Sequence, residues 1–321
     1  MQKIVLLLAI NLSVSLANAQ GCSDAGFCTL GSLKSNFDFE KKDSTSLNEK
    51  ELKNTIGVGF SYGLGEDFNN NFNPFLIYNR KLTKHVELQT KLTSAFINGK
   101  RGNVNYLSDI YIATNTSISI KDKKPKLHQR LNIIAGLKIP FSTANFKKDG
   151  QALPMAYQPS LATFDFIAGV NYIVYGFELN AAFQIPFASI NKNNYFNDGD
   201  TYTFGKDSLR FVSTNLFKRK PDFLLRFGYI FHTKNRKWLF KPNVLNIIHL
   251  GKDTYVDTLG KRKKIEDSEG YTLNAAFNMT YIINKHHNFE LSAGTPLVVR
   301  KVRPDGLTRK IAVALEYHFN F

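Results

Sequence analysis

The sequence predicts an all-β fold, a transmembrane antiparallel up-and-down β-barrel of about 12 strands, and three observations predict it. After residue 50, apolar side chains recur at every second position over segments of about ten residues, with no long stretch of helical spacing. Beyond the first twenty residues no apolar run is long enough for a membrane helix, so any crossing must be made by strands closed into a barrel. Charged residues stand midway along the polar faces of those strands, while aromatic residues gather near their ends. That arrangement suits a wet interior and the two aromatic girdles of an outer-membrane wall. Alternation by itself would also fit a soluble sandwich, and the charges and girdles decide against it.

Composition removes other classes. A chain of 321 residues with 43% hydrophobic and 13% aromatic residues is too apolar for disorder. Its 21 Gly, 10 Pro and 2 Cys exclude a collagen repeat and a disulfide framework. The formal charge of +16 would suit a nucleic-acid binder, but the first segment points to export, and no nucleic-acid partner is expected. Met1, Gln2 and Lys3 form a short basic start, Ile4 to Ala17 is apolar, and Ala17, Asn18 and Ala19 supply the small residues of a cleavage site. Residues 1–19 therefore read as a signal peptide. A lipoprotein signal ending at Cys22 is the alternative, and Gln20 with no preceding Leu fits it poorly.

Residues 20–50 form a polar N-terminal segment, placed on the periplasmic side and read as a plug or a tail. It carries Cys22 and Cys28, which an oxidising compartment would join. A metal site there lacks further ligands, since the nearest histidine in sequence is His85. The barrel occupies 51–321. Its strands are expected over 52–62, 73–81, 85–96, 105–119, 128–139, 161–173, 176–187, 221–232, 237–249, 270–283, 287–299 and 309–321.

The first two follow from alternation alone. The third and fourth carry Glu87, Lys91 and Asp109 on the polar face, the fifth Arg130 and Lys138, and the sixth Asp165. In the seventh, Phe177, Leu179, Ala181, Phe183 and Ile185 oppose Glu178, Asn180, Ala182 and Gln184. In the eighth, Phe223, Leu225, Phe227, Tyr229 and Phe231 oppose Asp222, Leu224, Arg226, Gly228 and Ile230. The ninth carries Lys241. Tyr271, Leu273, Ala275, Phe277, Met279 and Tyr281 form the apolar face of the tenth, and Phe289, Leu291, Ala293, Thr295 and Leu297 that of the eleventh, opposite Glu290. The last strand is clearest, with Ile311, Val313, Leu315, Tyr317, Phe319 and Phe321 against Lys310, Ala312, Ala314, Glu316, His318 and Asn320.

Twelve is even, as single-chain bacterial barrels require, and the links alternate. Long loops fall at 63–72, 97–104, 140–160, 188–220, 250–269 and 300–308, and turns near 82–84, 120–127, 174–175, 233–236 and 284–286. Ser208 to Phe217 stays within the fourth loop, because one more strand would break parity.

Four stretches carry a resemblance. The leader, the run from Gly21 to Cys28, the segment from Leu153 to Asp165 and the terminal Glu316 to Phe321 look like an outer-membrane β-barrel of the Bacteroidota type. The segment from Leu153 to Asp165 is similar to one in the phenol-degradation channel family, related in architecture to FadL-type transporters of hydrophobic compounds. The terminal strand, through Leu315, Tyr317, Phe319 and Phe321, resembles the signal read by the barrel-assembly machinery. Where FadL-type proteins have a longer N-terminal hatch, this chain has about thirty residues.

The resulting expectation is an outer-membrane channel or transporter for a small solute, including hydrophobic ones, with a mixed-charge lumen. Glu87, Lys91, Asp109, Arg130, Lys138, Asp165, Glu178, Arg226, Lys241, Glu290 and Glu316 are the selectivity candidates. The same acids and bases would serve equally as a paired polar core. A structural or adhesive barrel is the alternative, with basic loops around Lys147, Lys148, Lys218, Arg219, Lys220 and Lys261 to Lys264 attracting lipopolysaccharide phosphates. An outer-membrane lipase or protease would need one of His232, His249, His286, His287 or His318 as base. None lies in a Gly-x-Ser-x-Gly or His-Glu-x-x-His context, so no enzyme, cofactor or metal is expected.

Overall fold

The computed structural model describes residues 52–65, 69–120, 129–197, 199, 201–204, 207–306 and 309–321. The leader, residues 20–50 and the Cys22–Cys28 pair lie outside the described residues. Twelve antiparallel strands form one sheet: β1 Asn54–Gly65, β2 Asn70–Lys81, β3 Val86–Gly99, β4 Gly102–Ile120, β5 Gln129–Pro140 and β6 Thr163–Val174 make the first half. The second half is β7 Phe177–Ser189, β8 Asp222–Tyr229 with its short continuation Phe231–His232, β9 Trp238–His249, β10 Gly270–Ile282, β11 His287–Val298 and β12 Arg309–Asn320. Each strand pairs with its sequence neighbours, and β1 pairs with β12 from Thr55 opposite Asn320 to Leu64 opposite Ile311. The barrel is closed, so no edge is left with unpaired backbone groups.

Period two sets the two faces. Outward stand Ile56, Val58, Leu76, Ile133, Phe166, Val170, Phe183, Phe227, Phe277 and Leu315, all exposed. Inward stand Asn71, Gln89, Asn115, Asn132, Asn171, Asn180, Gln184, Asn243, Asn274 and Thr280, all buried. A continuous apolar belt outside a polar interior is the inverse of a soluble core, and it is stable only with lipid around it. Aromatic pairs rim the turn side, among them Phe177 with Tyr229, Trp238 with Tyr281 and Phe289 with Tyr317. On the loop side Phe60, Phe72 and Phe96 form a row, and Phe164 meets Phe187. Barrel, belt and girdles place the protein in the outer membrane.

Two links are shorter than the sequence suggested. β1 and β2 run on to Gly65 and Asn70, and β3 and β4 meet through Lys100 and Arg101 alone, where a loop was expected over 97–104. The polar stretch from Asn98 to Asn103 reads as loop, yet Ile97 and Val104 on either side of it pack against Leu153, Ala156 and Tyr157 of the third loop. Burial extends the hairpin past the point where composition would end it. In the fourth loop Thr201–Phe204 and Asp207–Arg210 pair as a separate hairpin outside the barrel sheet, so the even strand count holds.

Candidate functional site

The third loop, 141–162, folds into the mouth of the barrel on the loop side. Pro154 ends its extended run, and the 3-10 turn Met155–Tyr157 follows with all three residues buried. Polar side chains of the wall and of the neighbouring loop tie it down by its own backbone. Asn69 Nδ2 donates to the Ala156 carbonyl at 3.1 Å, Asn193 Nδ2 to the Ala144 and Leu153 carbonyls at 3.1 and 3.0 Å, and Asn191 Nδ2 to the Leu161 carbonyl at 3.1 Å. Ser160 Oγ donates to Asp109 at 2.6 Å, and Ser108 Oγ bonds the Pro159 carbonyl. Ser108 and Asp109 both face inward because a bulge opposite Leu92 to Ser94 inserts one extra residue. Buried loop backbone must find partners, and these side chains supply them.

Beside this loop, six ionisable side chains form a buried network. Arg219 Nη2 meets Asp222 at 2.5 Å and its Nε meets Asp305 at 3.4 Å, while Arg300 pairs with Asp305 and lies 3.9 Å from Asp253. His249 stands between Asp222 at 2.6 Å and Asp253 at 2.9 Å, one carboxylate at each ring nitrogen. Carboxylates only accept, so this geometry suits the imidazolium, and three cations then face three anions. Burial alone would raise the Asp305 carboxyl, but Arg300 and Arg219 outweigh it and hold it at about 2. The same acids hold Arg219 above its ordinary value against the opposing effect of burial. The sequence marked His249 only as a candidate base and Arg219 only as loop charge. Asp253, Arg300 and Asp305 gave no signal, because a network assembled from three separate segments has no single spacing.

All eleven lumen candidates lie on the inward face, but they fall into different settings. Lys138 and Asp165, at 1% and 0% exposure, pair at 3.1 Å, with Lys138 also donating to Thr163 at 3.1 Å and Gln184 Nε2 to Asp165 at 2.5 Å. Nearer the turn side, Lys241 pairs with Glu178 at 2.8 Å, and Asn171 Nδ2 donates to Glu178 and Asn180 at 2.8 and 2.7 Å. Glu87 and Arg130 lie on that side too, Arg130 only half-buried. Between the layers, Tyr111, Ala113, Ile134, Ile167, Ala182, Leu224 and Leu245 form an apolar wall inside the lumen, which charge reading alone did not anticipate.

Bordering that wall at Leu245, a cavity of about 180 Å³ opens beneath the third loop. Met155, Ala156, Gln158 to Leu161 and Gly306 roof it, Asn73, Asn243, Asn274 and Asn278 line its sides, and Lys91, Arg226 and Glu316 project from the candidate set into it. Lys91 Nζ sits 3.7 Å from the centroid of the Phe75 ring. That ring lies against the wall because residue 59 is glycine: a Cβ there would stand 2.7 Å from the ring.

Glu290, Glu316 and His318 bring ligand atoms within 4.8 Å of one another, a set that could hold a divalent cation. His318 Nε2 already meets Glu316 at 3.1 Å, and the Lys91 charge acts on both carboxylates, which opposes a metal there. No serine hydroxyl hydrogen-bonds His249, His286, His287 or His318 among the described residues. Both nitrogens of His249 are engaged, His286 Nδ1 meets the Asn320 carbonyl at 2.8 Å, and His287 Nδ1 meets the Tyr317 hydroxyl at 2.6 Å. None of these three is arranged as the base of a nucleophilic serine.

No protein-family model matches the chain, and no curated protein matches it. Among solved structures it is similar to a COG4313 outer membrane channel from Pseudomonas putida F1, at 11% identity and a TM-score of 0.54, over 88% of this chain and 100% of that one. It matches the NanC porin at 10% identity and a TM-score of 0.42, over 83% of this chain and 98% of that one. The outer membrane phospholipase A from Escherichia coli matches at 8% identity and a TM-score of 0.37, over 84% and 92%. At such identities the likeness is one of fold, and the fold is that of an outer-membrane β-barrel.

Proposed function

We propose that this barrel is a passive channel for a small solute, with the chamber beneath the third loop as the place where solute is held in transit. The observation that supports it is the chamber itself, a cavity inside a membrane wall lined largely by apolar side chains with convergent amides, hydroxyls and a few charges. The candidates divide accordingly. Lys91, Arg226 and Glu316 face the chamber and set its selectivity, whereas Lys138, Asp165, Glu178 and Lys241 are occupied by one another and hold the wall together. Uptake of a small labelled solute into liposomes carrying the purified protein tests the reading. Entry faster than into protein-free liposomes is expected, and Ala276→Trp, which fills the chamber, should reduce it at least fivefold. Uptake equal to the protein-free rate would overturn it.

A further inference from the structure

We propose that the chamber is a binding site for a small organic monoanion, with Lys91 taking a carboxylate and the apolar residues around Phe75 taking its hydrocarbon body. The proposal rests on the channel reading and names its substrate class. Four charged side chains line the chamber: Lys91, Arg226, Glu316 and Asp305. Asp305 is engaged by Arg300 and Arg219, Glu316 is met by His318, and Arg226 acts on Glu178.

Lys91 differs. It is 9% exposed, its ammonium lies over the Phe75 ring, and among the described residues no hydrogen bond or ion pair within 4.0 Å reaches it. Glu290 and Glu316 act on it only from farther away. A buried ammonium with its donors unengaged is a costly arrangement unless something from the lumen meets it, and a carboxylate meets it with charge-assisted hydrogen bonds. The unengaged donors of one ammonium match the oxygens of one carboxylate, while Glu290 and Glu316 nearby disfavour any further negative charge.

The body of the ligand is defined by what lies alongside. Phe75, Ile97, Leu161, Leu245 and Met155 line the same space, so the uncharged part is apolar. Asn73 and Ser61 stand on the wall beside Phe75 and offer further donors, with Asn73 Nδ2 lying 3.4 Å from Ser61 Oγ. A multiply charged anion would be repelled by Glu290 and Glu316, whose charges already act on Lys91, and a sugar would leave the apolar lining unmatched.

The test compares two molecules of one shape. Cyclohexanecarboxylate and cyclohexanecarboxamide are titrated calorimetrically into the full-length protein in detergent. The carboxylate is expected to bind at least tenfold more tightly than the amide. Lys91→Met should remove that preference and Lys91→Arg should keep it, with heat-modifiable migration reporting that each variant is folded. Equal affinity of the two ligands for the wild type, no binding of either, or an undiminished preference in Lys91→Met overturns the proposal. Uptake of a neutral solute into liposomes, measured alongside, separates the two claims. Entry without carboxylate binding leaves the channel and removes the site; binding without entry does the reverse.

Discussion

Lys138 and Asp165 show what decides the meaning of a charge inside this lumen. Both were legible as inward-facing from alternation, but their roles were not, because partnership is set across strands. With Lys138 truncated to Met, Asp165 would be left buried and uncompensated, and the barrel should lose about 3–5 kcal/mol. Pairing that change with Asp165→Asn should restore most of the loss, as measured by urea unfolding in lipid vesicles. A double variant no better than the single one would show that the pair is not the cause. Asp305 makes a prediction about pH. Unfolded, it titrates near 3.8, and in the folded loop network near 2, so its contribution is full above about pH 4 and is lost as pH falls through 2. That contribution is about 2 kcal/mol. Protease protection of residues 299–306 should therefore hold from pH 7 to 4 and fall below, and in Asp305→Asn the protection should be weaker at pH 7 and no longer fall in that range.

Elements were legible where period two was unbroken and illegible where it failed. Strands β7, β8 and β10 to β12 could be read residue by residue, and the placing of Ser208 to Phe217 outside the barrel held. The bulge in β4 breaks the period, so Ser108 was not expected to face inward although its neighbour Asp109 was. The third loop was visible as a resemblance from Leu153 to Asp165, but its inward course depends on amides from the β1–β2 link and the fourth loop that no local pattern announces. Gly306 is part of that course. Its φ of +66° suits glycine, and a Cβ there would stand 2.3 Å from Ala156 Cα, so no side chain fits without moving the Met155–Tyr157 turn. Gly306→Val should destabilise the roof of the chamber by roughly 1–3 kcal/mol. It should expose 153–162 to protease and raise solute entry severalfold. Unchanged cleavage and unchanged entry would show that the loop does not roof the path.

At the scale of the whole molecule, closure and membrane residence were legible because lipid imposes them. A strand-built protein without an edge, apolar outside and polar within, has few other solutions in a bilayer. Ile133, exposed on the outer face of β5, is a measure of this. Replaced by Arg it should cost about 2–4 kcal/mol in lipid vesicles, whereas Asn115→Gln on the inner face should cost far less. What the sequence left open was the interior, since its apolar wall, loop network and chamber each join residues from distant strands. Permeation through the chamber is read electrically, by single-channel recording of the purified protein in a planar bilayer, compared with Ala276→Trp. Discrete current steps in the wild type, sharply reduced in the variant, are predicted. A folded, inserted barrel that carries no current, or one whose current ignores the filled chamber, would contradict it.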